Sequence, residues 1–172
     1  MTTTLNVPGA KDDSRKATYR LLAEDFPFAL SEFMHNLPWP VSPPGLLHFL
    51  TMTTGTRSTV KETAKTVLAY FTFCHTPLIS ADSHVLKASA LAGMADVAGY
   101  GARKYTASGW KDVPDGVVRY TEAMYRHCFS LLGGEVSDPE SGFPHRSHIL
   151  WNCVAMLELA YRENKLDELR LY

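Results

Sequence analysis

The amino-acid sequence predicts an all-α fold, on three observations. Apolar residues recur at spacings of three and four, as in Val60, Ala64, Val67, Leu68, Phe71 and Cys74, the period of a helix with one buried face. No stretch alternates polar and apolar residues for long enough to demand a sheet. Pro38, Pro40, Pro43 and Pro44 make a stiff connector, because proline cannot continue a helix and restrains the residue before it.

The helices follow in order. The first is expected from about Ser14 to Leu37, with Pro27 as its break point, and a short one from Gly45 to Met52. The regular period from Ser58 to His75 marks a structured helix, with Phe71 and Phe73 assigned to core packing in preference to a nucleobase pocket. The next runs from about Ala81 to Tyr105 and ends among glycines and basic residues. From about Asp115 to Leu132, Val118, Thr121, Met124, Tyr125, Cys128 and Leu132 form an apolar stripe. The last, Pro144 to Asn164, is apolar on almost every face in its middle and so belongs deep in a core.

Whole-chain properties restrict the function. A chain of 172 residues with 45% hydrophobic content can build one domain around a real core. A net charge of −1 and a pI near 6.6 argue against binding a long nucleic acid. Cys74, Cys128 and Cys153 lie in apolar surroundings without CxxC spacing, so they read as reduced core thiols of a cytoplasmic protein, not as a disulfide framework or zinc site. No signal peptide is recognisable, and no apolar run approaches the roughly 18–20 residues that span a bilayer.

The chemistry concentrates between the last two helices. Glu135, Asp138, Glu140, His145 and His148 fall within one short stretch. Carboxylate oxygens suit Mg²⁺ or Mn²⁺, and imidazole also suits Mn²⁺ and the later transition ions. An acidic turn has a purely conformational explanation too, since Asp, Glu, Ser and Gly favour turns. The polar set nevertheless continues into the last helix, where His145, His148 and Asn152 at i, i+3 and i+7 form a narrow stripe. Buried there, they need partners, because an unpaired donor or acceptor costs roughly 1–3 kcal/mol. Those partners are either other side chains or a metal or ligand.

On the preceding helix Arg119, Glu122 and Arg126 share a face, with His127 at the edge of the apolar stripe. They are either a surface ion-pair ladder or a metal or base carboxylate flanked by guanidinium forks for phosphate. Upstream, Arg103, Lys104 and Lys111 lie beside Tyr105 and Trp110. Cations with aromatic planes suit a nucleotide; they equally suit a helix end, where glycine and basic residues meet the carbonyl dipole. The GxxxxGK[ST] order of a P-loop is absent.

Gly101-Ala102-Arg103-Lys104-Tyr105, then Trp110, Arg119-Tyr120, Arg126-His127, Gly134-Glu135, Asp138-Pro139-Glu140-Ser141-Gly142 and His145-Arg146-Ser147-His148 occur in this order. The set resembles the phage and prophage dATP/dGTP diphosphohydrolases, a MazG-like group of all-α nucleotide pyrophosphohydrolases. The opening Gly9-Ala10-Lys11-Asp12-Asp13 with Leu21-Leu22 also resembles the family's start. The resemblance implies a compact multi-helix bundle, assembled as a homo-oligomer. The implied reaction cuts a purine deoxynucleoside triphosphate between the α and β phosphates with Mg²⁺ or Mn²⁺. In phages with 2-aminoadenine genomes, that step supplies dGMP. Two departures stand out. Residues from about 38 to 89 read as a helical insertion, and Gly93 stands in the helix where the family usually carries glutamate, so Asp96 or Glu32 is expected to replace it.

The expected mechanism is metal-assisted attack of water. Glu122, Glu135, Asp138 and His148 are the candidate metal ligands; Glu122, Glu140 or His127 is the candidate proton acceptor. Arg103, Lys104, Arg119 and Arg126 would clamp phosphates. Tyr105 and Trp110 would stack on the base, and His145 and Asn152 would complete substrate binding. Alternatives are a nucleotide-binding module without turnover, an HD-type triphosphohydrolase, disfavoured because no adjacent His-Asp pair exists, and a structural phage protein.

Overall fold

The computed structural model describes residues 21–22, 25–29, 33, 58–74 and 83–168. The protein is all-α: helices α1 (Val60–Ala69), α2 (Ser83–Lys104), α3 (Gly116–Leu132) and α4 (His145–Arg162) account for most of it. No strand occurs among the described residues; an isolated antiparallel bridge between Ser137 and Pro144 closes the α3–α4 loop.

Helix α4 is the centre of the packing, because it is apolar almost all round and cannot be left at a surface. It packs most extensively on α3, then on α2 and α1, and Ile149, Leu150, Cys153, Val154 and Leu157 are fully buried. Helix α1 starts at a capping box. Thr59 Oγ1 accepts from the Glu62 N–H at 3.2 Å, and Glu62 Oε2 accepts from the Thr59 N–H at 2.9 Å. Its buried face contains Val60, Ala64, Val67 and Leu68, the period legible in the sequence.

The helix expected to run unbroken to His75 instead widens into a π-helical turn at Tyr70–Cys74. That turn lets Phe71 enter the core while its carbonyl accepts from Arg146 Nε at 2.6 Å. Burial pulls the Arg146 guanidinium down to about 10. Phe71 is fully buried and Phe73 packs against the same core, so both serve packing.

The expected break at Pro27 falls at Phe26, where helical conformation is interrupted before resuming at 27–29. This segment is tied to α4 by Glu158, which is 2% exposed and accepts from the N–H groups of Phe28 and Ala29, each at 3.0 Å. Arg162 completes the tie, donating to Glu158 Oε1 at 3.2 Å and to the Asp25 carbonyl at 3.1 Å. Cys128 and Cys153 are buried thiols in no disulfide among the described residues, and burial pushes the Cys128 thiol up to about 12. The Gly45–Met52 helix, the Pro38–Pro44 connector, the Gly9–Asp13 opening and Glu32 lie outside the described residues.

Candidate active site

A cleft of about 590 Å³ opens between the end of α2, a 3-10 turn at Gly109–Asp112, α3 and α4. The volume suits a small organic ligand. One wall is built by the α3–α4 loop and the first turns of α4. Asp138 folds the loop back, its Oδ2 accepting from the Ser141 N–H at 2.8 Å. Ser141 Oγ in turn lies 2.7 Å from His148 Nε2. His127 reaches in from α3, stacking on the His148 ring with centroids 4.5 Å apart.

A second imidazole contact lies behind this wall. His127 Nδ1 is 2.8 Å from His145 Nδ1, and His145 Nε2 is 3.0 Å from Glu135 Oε2. One ligand atom from each of His127, Asp138 and His145 falls within 4.8 Å of the others. Burial, reinforced by the neighbouring His148 and His145, lowers His127 to about 4. Burial also lowers His148, against the pull of Asp138. Burial works against the Asp138 charge, yet hydrogen bonds from Ser141 hold its carboxyl below the usual range. At neutral pH this wall therefore offers one carboxylate and uncharged ring nitrogens.

The opposite wall is aromatic. Trp110 stacks on Phe26 with centroids 4.4 Å apart and meets Tyr120 and Trp151 edge-on. Asp25, 5% exposed, accepts from Ser108 Oγ at 2.7 Å, Lys111 Nζ at 2.6 Å and Trp110 Nε1 at 3.2 Å. Desolvation raises its pKa, but these donors outweigh it and hold the carboxyl low.

Among the residues singled out from sequence, Lys104, Tyr105 and Trp110 line the cleft, as do Arg119 and Arg126. So do His127, Asp138, Glu140, His148 and Asn152. Arg119 and Arg126 are exposed and in no ion pair among the described residues, so no ladder with Glu122 forms. Lys104 is bound by Glu140, which also accepts from the Tyr100 hydroxyl at 3.2 Å. These contacts hold the Glu140 carboxyl low and raise Lys104. Tyr105 is 70% exposed, so its ring is accessible at the rim. Asn152 Nδ2 donates to the His148 carbonyl at 2.8 Å.

Four candidates lie off the cleft lining. Glu122 is exposed on α3 away from it, Arg103 lies near Asp96, and Glu135 and His145 stand behind the imidazole wall. Asp96, one of the two expected replacements for the family glutamate, is also off the lining, and burial raises its pKa against the pull of Arg103.

A family model described as dATP/dGTP diphosphohydrolase, N-terminal, matches residues 80–169, just over half of the 172 residues. The chain belongs to that family. No curated protein and no solved structure matches it. The match covers every motif from Gly101 to His148, and with it both the imidazole wall and the cation-bearing face of α3. It supports a diphosphohydrolase acting on dATP or dGTP. The similarity at Gly9–Asp13 lies outside the matched residues.

The family position at Gly93 has a structural explanation. A Cβ there would lie 2.4 Å from Ser147 Oγ and 3.1 Å from Ser147 Cβ, so α2 approaches α4 where only glycine fits without a shift. Sequence reasoning missed Asp25, Tyr100 and Ser141. Ser141 had a signal, since Asp138 three residues before it can accept its N–H in an Asx-type turn. Asp25 had none, being a single carboxylate whose partners lie more than 80 residues away.

Proposed function

We propose that this cleft hydrolyses a purine deoxynucleoside triphosphate, dGTP in preference to dATP, to the monophosphate and pyrophosphate with Mg²⁺ or Mn²⁺. One observation carries the reading: Arg119 and Arg126, cations without acidic partners among the described residues, face the same cleft as Asp138 and two uncharged imidazoles. Guanidinium forks suit phosphate oxygens.

Asp138 and the imidazoles beside it would hold the divalent ion, a donor set that suits a metal better than it suits a bare anion. When bound, such an ion supplies neutralisation of phosphate charge and a more acidic water. The chain's own groups do the rest. Arg119 and Arg126 bind and orient the phosphates, and Tyr105 at the rim stacks on the base. Whichever of His127 or His148 is left unligated accepts the proton of the attacking water at its neutral nitrogen. Asn152, buried on the cleft wall, would read the substrate by hydrogen bonding. The reaction would serve phage nucleotide metabolism in the host cytoplasm, supplying dGMP for 2-aminoadenine DNA, and the enzyme would work as a homo-oligomer.

Gly93 favours a second reading, a nucleotide-binding module without turnover, because it lacks the carboxylate expected in this helix and a side chain there would press on Ser147. Incubating the protein with each dNTP and Mg²⁺ or Mn²⁺, then resolving products, separates the two. Monophosphate with pyrophosphate, fastest from dGTP, is expected. Triphosphate release or a preferred pyrimidine overturns the assignment, and binding without turnover selects the module.

A further inference from the structure

We infer that Lys104 Nζ and the Tyr100 hydroxyl form a second phosphate subsite, on α2 in the same cleft as Arg119 and Arg126, and that Glu140 occupies its oxyanion position in the free protein. The inference rests on the hydrolase reading of the cleft and extends its phosphate grip from α3 to α2. Both donors meet a single acceptor atom: Glu140 Oε1 takes the Lys104 ammonium and, at 3.2 Å, the Tyr100 O–H. A phenol stays protonated at neutral pH and an ammonium has donors only, so the group they share must be an acceptor. Two donors converging on one anionic oxygen is the arrangement that a phosphate oxygen also requires. All three side chains line the cleft, as Arg119 and Arg126 do.

Glu140 is placed to leave. Its side chain is 62% exposed on the α3–α4 loop, and an exposed ion pair holds its partners weakly. Lys104 does not depend on it for position, since the rings of Tyr100 and Tyr105 flank the ammonium with centroids 5.9 and 5.1 Å away. Tyr100 is likewise fixed by α2 and by its edge-on contact with Phe143. A triphosphate brings several negative charges to a cleft in which Glu140 carries one. Like charges then expel the carboxylate, while both donors gain a more highly charged acceptor. The exchange conserves hydrogen bonds: each donor gives up a carboxylate oxygen and takes a phosphate oxygen, and water solvates the released carboxylate. Asp138, two residues earlier in the loop, is tied to the Ser141 N–H and stays beside the imidazoles. Glu140 is therefore a competitor of phosphate in the free protein.

Inorganic pyrophosphate is the probe, because it carries phosphate oxygens and no base. Its affinity for the full chain is measured by calorimetry with Mg²⁺ present and again in chelator, beside thermal melts. Lys104→Met and Tyr100→Phe should each weaken pyrophosphate about tenfold, the scale of one hydrogen bond to a charged group. Glu140→Gln should tighten it about three- to fivefold, the most that an exposed ion pair withholds. That gain should be lost when Lys104→Met is added, because the competitor then has no ammonium to occupy. The melts should coincide. A Glu140→Gln protein that binds pyrophosphate no better, or a Tyr100→Phe protein that binds it as well as the unmodified chain, overturns the subsite. So does a lowered Tm with unchanged affinity, which marks the pair as a brace of the loop, and so does no pyrophosphate binding under either condition. Turnover of dGTP and dATP by the unmodified protein is assayed alongside. Turnover to monophosphate and pyrophosphate without these affinity changes removes the subsite and keeps the hydrolase; the affinity changes without turnover of any dNTP do the reverse.

Discussion

The two walls of the cleft differ in what their polar groups have left to offer. On the aromatic wall Asp25 is surrounded by hydrogen-bond donors, with Lys111 as its counter-ion, and Trp110 has one face covered by Phe26. On the imidazole wall His127 contacts His145, His145 contacts Glu135 and His148 contacts Ser141, while no lysine or arginine pairs with Asp138 among the described residues. The first wall holds the loop at Gly109–Asp112 against the core, and its one orphaned group among the described residues is the buried Trp151 Nε1. The second sets a carboxylate without a cationic partner among the described residues beside the imidazoles. Proximity to a cleft therefore does not assign function; the chemistry of the groups that face it does.

The largest expected effect separates the walls directly. Asp138→Asn removes a charge with little change of shape and should lower kcat about 10²–10³-fold while leaving the circular dichroism and Tm unchanged. Asp25→Asn should do the opposite: it loses about 2 kcal/mol of stability, the scale of hydrogen bonds to a charged group, and keeps kcat within about threefold. Steady-state kinetics beside thermal melts read both. If Asp138→Asn turns over like the unmodified protein, the imidazole wall leaves the mechanism.

The two aromatic candidates should divide in the same way. Trp110 packs against Phe26, Tyr120 and Trp151, so Trp110→Ala opens a cavity and should cost about 3–5 kcal/mol of stability. Tyr105 is 70% exposed, so Tyr105→Ala should change stability by less than about 0.5 kcal/mol. Its loss should raise KM for every dNTP by about tenfold, the scale of one stacked base, without changing their ranking. An inverted purine order in Tyr105→Ala would show that this ring reads the base and does more than support it.

Acid should unmake the walls in different windows. Burial lowers His127 from its ordinary 6.5 to about 4 in the folded protein, so the unfolded chain binds more protons between those values. Its stability contribution is complete above 6.5 and lost as pH falls toward 4. Asp25 has a depressed carboxyl, so its contribution is present above 3.8 and lost only as pH falls further. Denaturant melts of the metal-free protein from pH 7 to 3 should show a first decline between about 6.5 and 4, reduced in His127→Gln and shared with His148, and a second below it, reduced in Asp25→Asn and shared with Asp138 and Glu140. A single decline below pH 4 contradicts the neutral, desolvated state of His127.

The helices were legible because they are periodic and local: the apolar stripes of α1 and α3 and the all-round apolar character of α4 each fit inside a short window of sequence. The polar stripe at His145, His148 and Asn152 was legible too, since helical spacing places it without any tertiary knowledge. What spacing could not supply was direction around the helix axis. Glu122 lies between Arg119 and Arg126 in sequence, yet only the arginines line the cleft. Nor could it show which carboxylate is already taken, as Glu140 is by Lys104 and Tyr100. The π-helical turn after Ala69 escaped notice because Tyr70–Cys74 is as apolar as a continuing helix, and the Arg146 that donates to the Phe71 carbonyl lies far off in sequence.

The smallest expected effect concerns the contact that sets the distance between α2 and α4 beneath the imidazole wall. Replacing glycine by alanine inside a helix ordinarily stabilises by up to about 1 kcal/mol. At Gly93 the new Cβ would meet Ser147 Oγ at 2.4 Å and Ser147 Cβ at 3.1 Å. The hydroxyl can rotate away, but the Cβ contact is still tight, and overpacking of this kind costs about 1–3 kcal/mol. Gly93→Ala should therefore destabilise by about 1 kcal/mol in the native background. In Ser147→Gly, where both clashing atoms are gone, the same change should stabilise, giving a coupling of about 1–2 kcal/mol in a double-mutant cycle. Gly93→Glu should fail to fold, because a longer and charged side chain enters the same space beside a buried helix. A soluble Gly93→Glu protein with native Tm and faster turnover would mean that the two helices can part. The family's glutamate would then be a lost ligand and not one excluded by packing.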